Sequence, residues 1–190
     1  MHPFKAFIKN YSEISDQEWK QIESSLEKKI FDKGEILLEE GKVCKHIYFL
    51  ESGFLRFFVW KEGNDISKFF TKSPYCFTSQ RSFNKNIPAI ENTEVLEKSV
   101  IWQMKQEEAL SLLKLAGWSE FVRKLVQEVQ FYTEQILEEL QNTTAEDRYR
   151  KMLENNDVLL QKVPLKHLAS YLGIAPQSLS RIRKKVLEER

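Results

Sequence analysis

Gln177, Ser178, Ser180, Arg181, Arg183, Lys184 and Lys185 fall within nine consecutive positions, with Lys166 a short way upstream. Their amide, hydroxyl, guanidinium and ammonium groups donate hydrogen bonds or carry positive charge. Such a set suits phosphates and base edges. Groups that do support bond-breaking chemistry are scarce: three histidines (His2, His46, His167) and two widely separated cysteines, Cys44 and Cys76. No Ser/His/Asp, Cys/His or paired-carboxylate arrangement stands out, and most carboxylates fall on helical, solvent-facing segments. The chain therefore reads as a binding protein and not an enzyme, with no metal site and no cofactor.

The elements that position the polar set follow from the apolar residues between them. Leu165, Leu168, Ala169 and Leu172 give a first helix one buried face, and Ala169 is small enough for a second helix to cross close above it. Gly173 supplies the positive φ of a sharp turn. Pro176 suits the first turn of the second helix, where a missing N–H costs nothing. Leu179 and Ile182 then lie inward, turning Gln177, Ser178, Ser180, Arg181 and Lys184 outward. This is the pattern of a helix-turn-helix whose second helix enters a major groove. Charge follows the same division. Positions 163–190 hold six Lys/Arg and two Asp/Glu, a balance of +4, against 23 basic and 26 acidic residues (−3) in the remainder.

The 190 residues, 42% of them hydrophobic, suffice for one mid-sized domain and a small one. Neither a signal peptide nor a membrane-length apolar run is evident, and the cysteines read as reduced thiols, so a cytoplasmic protein is expected. Ser15 and Glu18 form a capping box for a helix over 15–29 carrying Trp19, Ile22 and Leu26. Between 31 and 104 short β-branched and aromatic runs alternate with turn signals. About eight strands result, at 35–38, 46–50, 54–60, 66–71, 75–78, 95–98 and 100–104 among others, as in a β-sandwich or β-roll. A hairpin loop is expected at 63–65, and Phe57, Phe69, Phe70, Tyr75, Phe77 and Phe83 read as core. Helical periodicity resumes at Gln106 and is interrupted at Gly117. Trp118, Val122, Leu125, Val129, Tyr132, Ile136 and Leu140 then recur at nearly heptad spacing, the mark of a dimer seam. Thr143 and Glu146 are read as a capping box opening a further helix through Leu153.

The order of these parts resembles the CRP/FNR family, that of the bacterial catabolite activator and the fumarate-nitrate regulator. The residues that carry the likeness are Lys33-Gly34-Glu35, Glu40-Gly41 and Ile47 to Gly53 in the first half. In the second half they are Glu146-Asp147-Arg148-Tyr149, Val163-Pro164, and Leu168 to Ile174 through Ser180-Arg181-Ile182-Arg183. The resemblance implies an α+β chain: a cyclic-nucleotide-binding-like β-roll over 1–117, a dimerisation helix over 118–142, and a helix-turn-helix over 143–190. It implies that Arg181 reads a guanine and that Gln177 holds the place of a base-contacting glutamate. Implied partners are double-stranded DNA, a second copy of the chain, RNA polymerase and a small-molecule effector of unknown identity, with no membrane.

Two departures shape the expected mechanism. Cyclic-nucleotide binders of that family hold the phosphate with glycine backbone and an arginine, and the ribose with a glutamate. Here no glycine occurs between Gly63 and Gly117, and the segment 75–89 is short and contains no acid, leaving Arg81 as a weak effector-binding candidate. A cyclic-AMP response is therefore not expected. The cysteine cluster of the iron–sulfur branch and a haem ligand set are missing as well. The other departure is that no wing is evident after the second helix, so phosphate contacts should rest on Lys166, Arg183, Lys184 and Lys185. The alternative is a ligand-binding or scaffold protein of the same fold that does not regulate DNA; a cupin-type metalloenzyme fails because only His46 lies in the β-region.

Overall fold

The computed structural model describes residues 1–155 and 158–189. Helix α1 (Pro3–Ile8) is capped by His2, whose Nδ1 accepts from the Phe4 amide at 3.1 Å. Helix α2 (Asp16–Ser24) closes the expected capping box, with Ser15 Oγ accepting from the Glu18 amide and the Glu18 carboxylate accepting in return. It does not run to 29. Residues 27–31 form a strand instead, because their pairing satisfies backbone groups along a sheet edge that a longer helix would leave open.

The strands are β1 (Glu27–Phe31), β2 (Ile36–Leu38), β3 (His46–Lys61), β4 (Asn64–Lys72), β5 (Tyr75–Phe77) and β6 (Asn92–Lys105). They form one antiparallel sheet rather than eight short strands. The long β3 and β6 pair along their length; β1 and β2 flank β6, while β4 and β5 flank β3. Residues 52–53, between the strands expected at 46–50 and 54–60, form a register shift within β3. Gly53 has φ +120°, and a Cβ there would sit 2.8 Å from Ser99 Cα, so glycine lets the two long strands bend together without breaking their pairing. The β3–β4 hairpin turns at Glu62 and Gly63, both with positive φ, so Asn64 and Asp65 already belong to β4.

Inside the bent sheet lie Leu38, Tyr48, Leu50, Leu55, Val95 and Ile101. A second core holds the outer side of β3 and β6 against α1, α2, α4 (Gln106–Ser111) and the start of α5 (Ala116–Asn142), around Phe4, Phe49, Trp118 and Phe121. The expected interruption at Gly117 falls two residues earlier: Leu115 is extended, and Gly117 lies in the first turn of α5. Helix α3 (Gln80–Lys85) precedes β6. The chain ends with α6 (Ala145–Glu154), α7 (Val158–Lys162), α8 (Leu165–Tyr171) and α9 (Pro176–Glu188). The capping box of α6 is one residue later than expected: Thr144 Oγ1 accepts from the Asp147 amide, and Asp147 accepts from Thr144 N. Thr143 instead closes α5, its amide bonding Glu139 O at 3.0 Å. A third core joins α6 through α9 and takes in Phe54 and Phe70 from the sheet. Of the expected aromatic set, Phe57, Tyr75 and Phe77 pack partly buried on the first core, Phe83 joins the second and Phe70 the third, while Phe69 is half-buried outside them.

Candidate nucleic-acid interface

Helices α8 and α9 meet across a turn set by Gly173, with φ +74°. The Ile174 amide reaches back to Ala169 O at 3.0 Å and the Gly173 amide to Ser170 O at 3.1 Å, satisfying the carbonyls at the end of α8. Ala169 and Leu179 are sealed from solvent, and Val186 is buried one helical repeat beyond Leu179. With that stripe inward, Gln177, Ser180, Arg181 and Lys184 share the exposed face of α9, while Ser178 is half-buried at its edge. Arg181 and Arg183 are exposed and make no ion pair with any described residue. Lys184 lies 3.8 Å from Glu188, a loose exposed pair.

Lys185 is placed differently. Its Nζ lies 2.9 Å from Glu146 on α6, which also binds Arg150 at 2.6 Å, and these two cations hold the Glu146 carboxyl below the ordinary carboxylate value. Lys185 therefore faces α6, at the margin of the polar surface. Lys166 is exposed on α8, 3.8 Å from Asp65. Arg148, which had no role assigned from sequence, braces the unit: it donates to Thr143 O at 2.8 Å and to Leu172 O at 2.9 Å, tying the end of α5 to the α8–α9 turn.

The largest group of functional-type residues missed in the sequence joins α8 to the sheet. Arg56 of β3 is 2% exposed; it lies 2.8 Å from Glu94, 3.2 Å from Asp65 and in contact with His167 of α8. A lone arginine inside the apolar run Phe54-Leu55-Arg56-Phe57-Phe58 was the available signal, since charge is rarely buried unless paired.

Beside the sheet, Arg81 is exposed on α3. The hydroxyl of Ser82 accepts from the Cys44 amide at 2.8 Å and donates to Ile87 O at 2.6 Å, so it is committed within the fold. Tyr48, Phe57, Phe69, Tyr75 and Phe77 fill the adjacent interior, with Tyr48 stacked on Phe77 at 5.2 Å and Phe57 edge-on to Phe77 at 5.3 Å. Burial pushes the Tyr75 hydroxyl up to about 12. A cavity of about 290 Å³ opens between β5, α3 and α5, walled by Ile47, Phe77, Phe83, Phe121, Leu125 and Val129. Gln80 and Asn84 also line it, but Arg81 does not.

Along α5, Trp118 is wholly buried in its own core, its Nε1 bonded to Ala109 O at 3.1 Å, so it has no surface to offer a partner and leaves the expected seam. Val122 and Leu125 pack partly on the same core. Val129 and Ile136 are half-exposed, and Tyr132 is 44% exposed with its ring 5.8 Å from Phe69. Val126, Leu137 and Leu140 are exposed.

Residues 28–115 match the sequence profile of the cyclic nucleotide-binding domain. Three solved structures are similar over most of the chain. A protein described as a transcriptional regulator of the crp/fnr family from Eubacterium rectale has a TM-score of 0.74 at 17% identity, covering 93% of this chain and 85% of its own. The c-di-GMP responsive global regulator CLP of Xanthomonas campestris has 0.71 at 12%, covering 92% and 93%. FixK2 of Bradyrhizobium japonicum has 0.69 at 13%, covering 86% and 85%. No curated protein matches. The chain therefore has a cyclic nucleotide-binding fold with CRP/FNR-type regulators among its structural neighbours. No helix among the described residues is long and apolar enough to cross a membrane.

Proposed function

We propose that this chain is a non-enzymatic, sequence-specific DNA-binding transcription regulator, acting as a homodimer, whose sensor domain does not use cyclic AMP. One observation carries the reading: Gln177, Ser180, Arg181 and Lys184 share the exposed face of a helix whose opposite face is locked by Leu179 and Val186. Helices α8 and α9 are the helix-turn-helix, and α9 enters the major groove. Arg181, unpaired with described groups, reads a base edge bidentately. Arg183 and Lys184 touch phosphates, while Lys166 and Lys185 add charge at the margin. The structural neighbours that are regulators support this use of the fold.

Dimerisation runs through α5, along a seam turned from Trp118 toward Val122, Val126, Val129, Thr133, Ile136 and Leu140, which keeps heptad spacing. The two recognition helices then address half-sites about 34 Å apart. The cavity between β5, α3 and α5 borders this seam, which makes it the place for an effector, one more apolar than a nucleotide.

Selection of bound sequences from random DNA, followed by affinity titrations on the enriched site, tests the proposal. Arg181→Ala should lose about 1–3 kcal/mol of discrimination at one base pair per half-site. Lys184→Ala should weaken all sequences alike and lower the salt slope by roughly one. Failure of the wild-type protein to enrich any sequence would remove the assignment.

A further inference from the structure

The cluster where α8 meets the sheet brings ionisable groups from four elements together. Arg56 (β3) pairs with Glu94 (β6) at 2.8 Å and Asp65 (β4) at 3.2 Å, donates to Ser67 Oγ at 3.3 Å, and lies over the Phe58 ring at 4.2 Å. His167 and Lys166 approach from α8. The Nδ1 of His167 contacts Arg56 Nη1 and lies 3.5 Å from Asp65 Oδ1; Lys166 Nζ is 3.8 Å from Asp65. Beside them, Ser170 Oγ accepts from the Ser67 amide at 3.0 Å and donates to Asp65 O at 3.3 Å.

A guanidinium has no lone pair to offer, so its bond to Nδ1 requires an unprotonated Nδ1 on a neutral imidazole. A proton taken up there would set N–H against N–H. Arg56 has nowhere to retreat, being sealed on all sides and held by two carboxylates. We propose that Arg56, Asp65, Glu94 and His167 form a proton-sensitive latch that seats α8 on β4 while His167 is neutral and loosens it once His167 is protonated. The latch ties the sensor sheet to the polar helical pair, and its consequence for DNA rests on the function proposed above.

The electrostatics agree in sign. Burial, then Arg56, lowers the His167 value from its ordinary 6.5; Asp65 and Glu94 oppose this, and Lys166 adds to it. A group whose value is depressed in the seated state favours seating above its free value. That contribution is lost as pH falls below 6.5 toward the seated value. The Ser67–Ser170 bonds, the contact of Phe70 with Tyr171 at 5.4 Å and the Lys162–Glu97 pair do not involve His167, so they restrain how far α8 moves.

Hydrogen exchange of the full chain without DNA reads the latch directly. Protection factors of the α8 amides, corrected for intrinsic exchange, should fall by up to about tenfold between pH 7.5 and pH 5.5, the ceiling set by an ordinary value of 6.5 lying one unit above the lower pH. His167→Asn places a non-titrating oxygen near Nδ1, so its α8 protection should stay constant over the same range. An NMR titration of wild-type His167 should give a midpoint below 6.5. Constant wild-type protection, or a midpoint at or above 6.5, overturns the latch whether or not the protein binds DNA. A pH-dependent protection that His167→Asn abolishes upholds it even if no DNA sequence is selected, in which case only the functional reading falls.

Discussion

A methyl group on Gly117 would sit 2.5 Å from Glu13 O and 2.6 Å from Ile14 Cδ1. The Gly117 amide also donates to Glu18 Oε1 at 3.0 Å, and its carbonyl accepts from Ser12 Oγ at 2.9 Å. In an isolated helix alanine would be better than glycine by roughly 1 kcal/mol. Here close approach of backbone to backbone wins, and Gly117→Ala should destabilise the fold by about 1–3 kcal/mol. A urea transition for the variant at or above the wild-type midpoint would show that the contact of α5 with residues 13–14 yields. Arg56 raises the opposite issue, a buried charge in place of a missing side chain. Removing one member of such a cluster costs far more than the cluster contributes, because its partners stay buried without it. The glycine was legible in the sequence as a helix break, whereas the arginine left only its place inside an apolar run as a signal. Their neighbours lie far along the chain: Gly117 meets 13 and 14, Arg56 meets 94 and 167.

Helix α5 is apolar on two sides because it serves two purposes. Its first two turns belong to the core around Phe4, Trp118 and Phe121, while Val126, Leu137 and Leu140 remain exposed further on. Exposed apolar side chains at heptad spacing on a long helix are covered by a partner helix in the dimer proposed here. Val126→Glu with Leu140→Glu should give a monomer of 22.6 kDa by light scattering, with the circular dichroism of the β-sheet domain retained. A double variant that keeps the dimer mass would place the interface elsewhere. Periodicity detected the helix but began its seam at Trp118, which is buried in the chain's own core. A 3.5-residue pattern has no label saying which stripe faces the chain's own sheet; only the packing of Trp118 makes that choice.

At the scale of the whole molecule, the sheet interior that would receive a cyclic nucleotide is occupied by Tyr48, Phe57 and Phe77. The nearby cavity is apolar, with no arginine or lysine in its lining. Burying a phosphate there without a cationic partner would cost more than the apolar walls return. Calorimetric titration with cyclic AMP or cyclic GMP at millimolar levels should therefore give no heat and no change in DNA affinity. Micromolar binding would mean that the aromatic interior opens. A thermal-shift screen of apolar metabolites should find a ligand that raises the melting temperature, because binding to the folded state alone stabilises it.

The sequence by itself determined the local structure: the α2 capping box, the Gly173 turn, the inward Leu179 and outward Arg181, and the length of α5. Each depends on residues within a few positions of one another, where propensity, capping and periodicity act directly. The absence of glycine and acid over 75–89 also raised the expectation of a cyclic nucleotide-binding fold lacking the usual phosphate cradle. Tertiary structure decided the rest. Residues 27–31 are a strand because β6 lies beside them, and four short runs merge into two long strands because Gly53 bends without reversing the chain. Trp118 faces inward because a core lies there. The Arg56 cluster exists only once β3, β4, β6 and α8 converge. Contacts of that range depend on which surfaces meet after the chain has closed, and no local pattern encodes the partner of a buried charge.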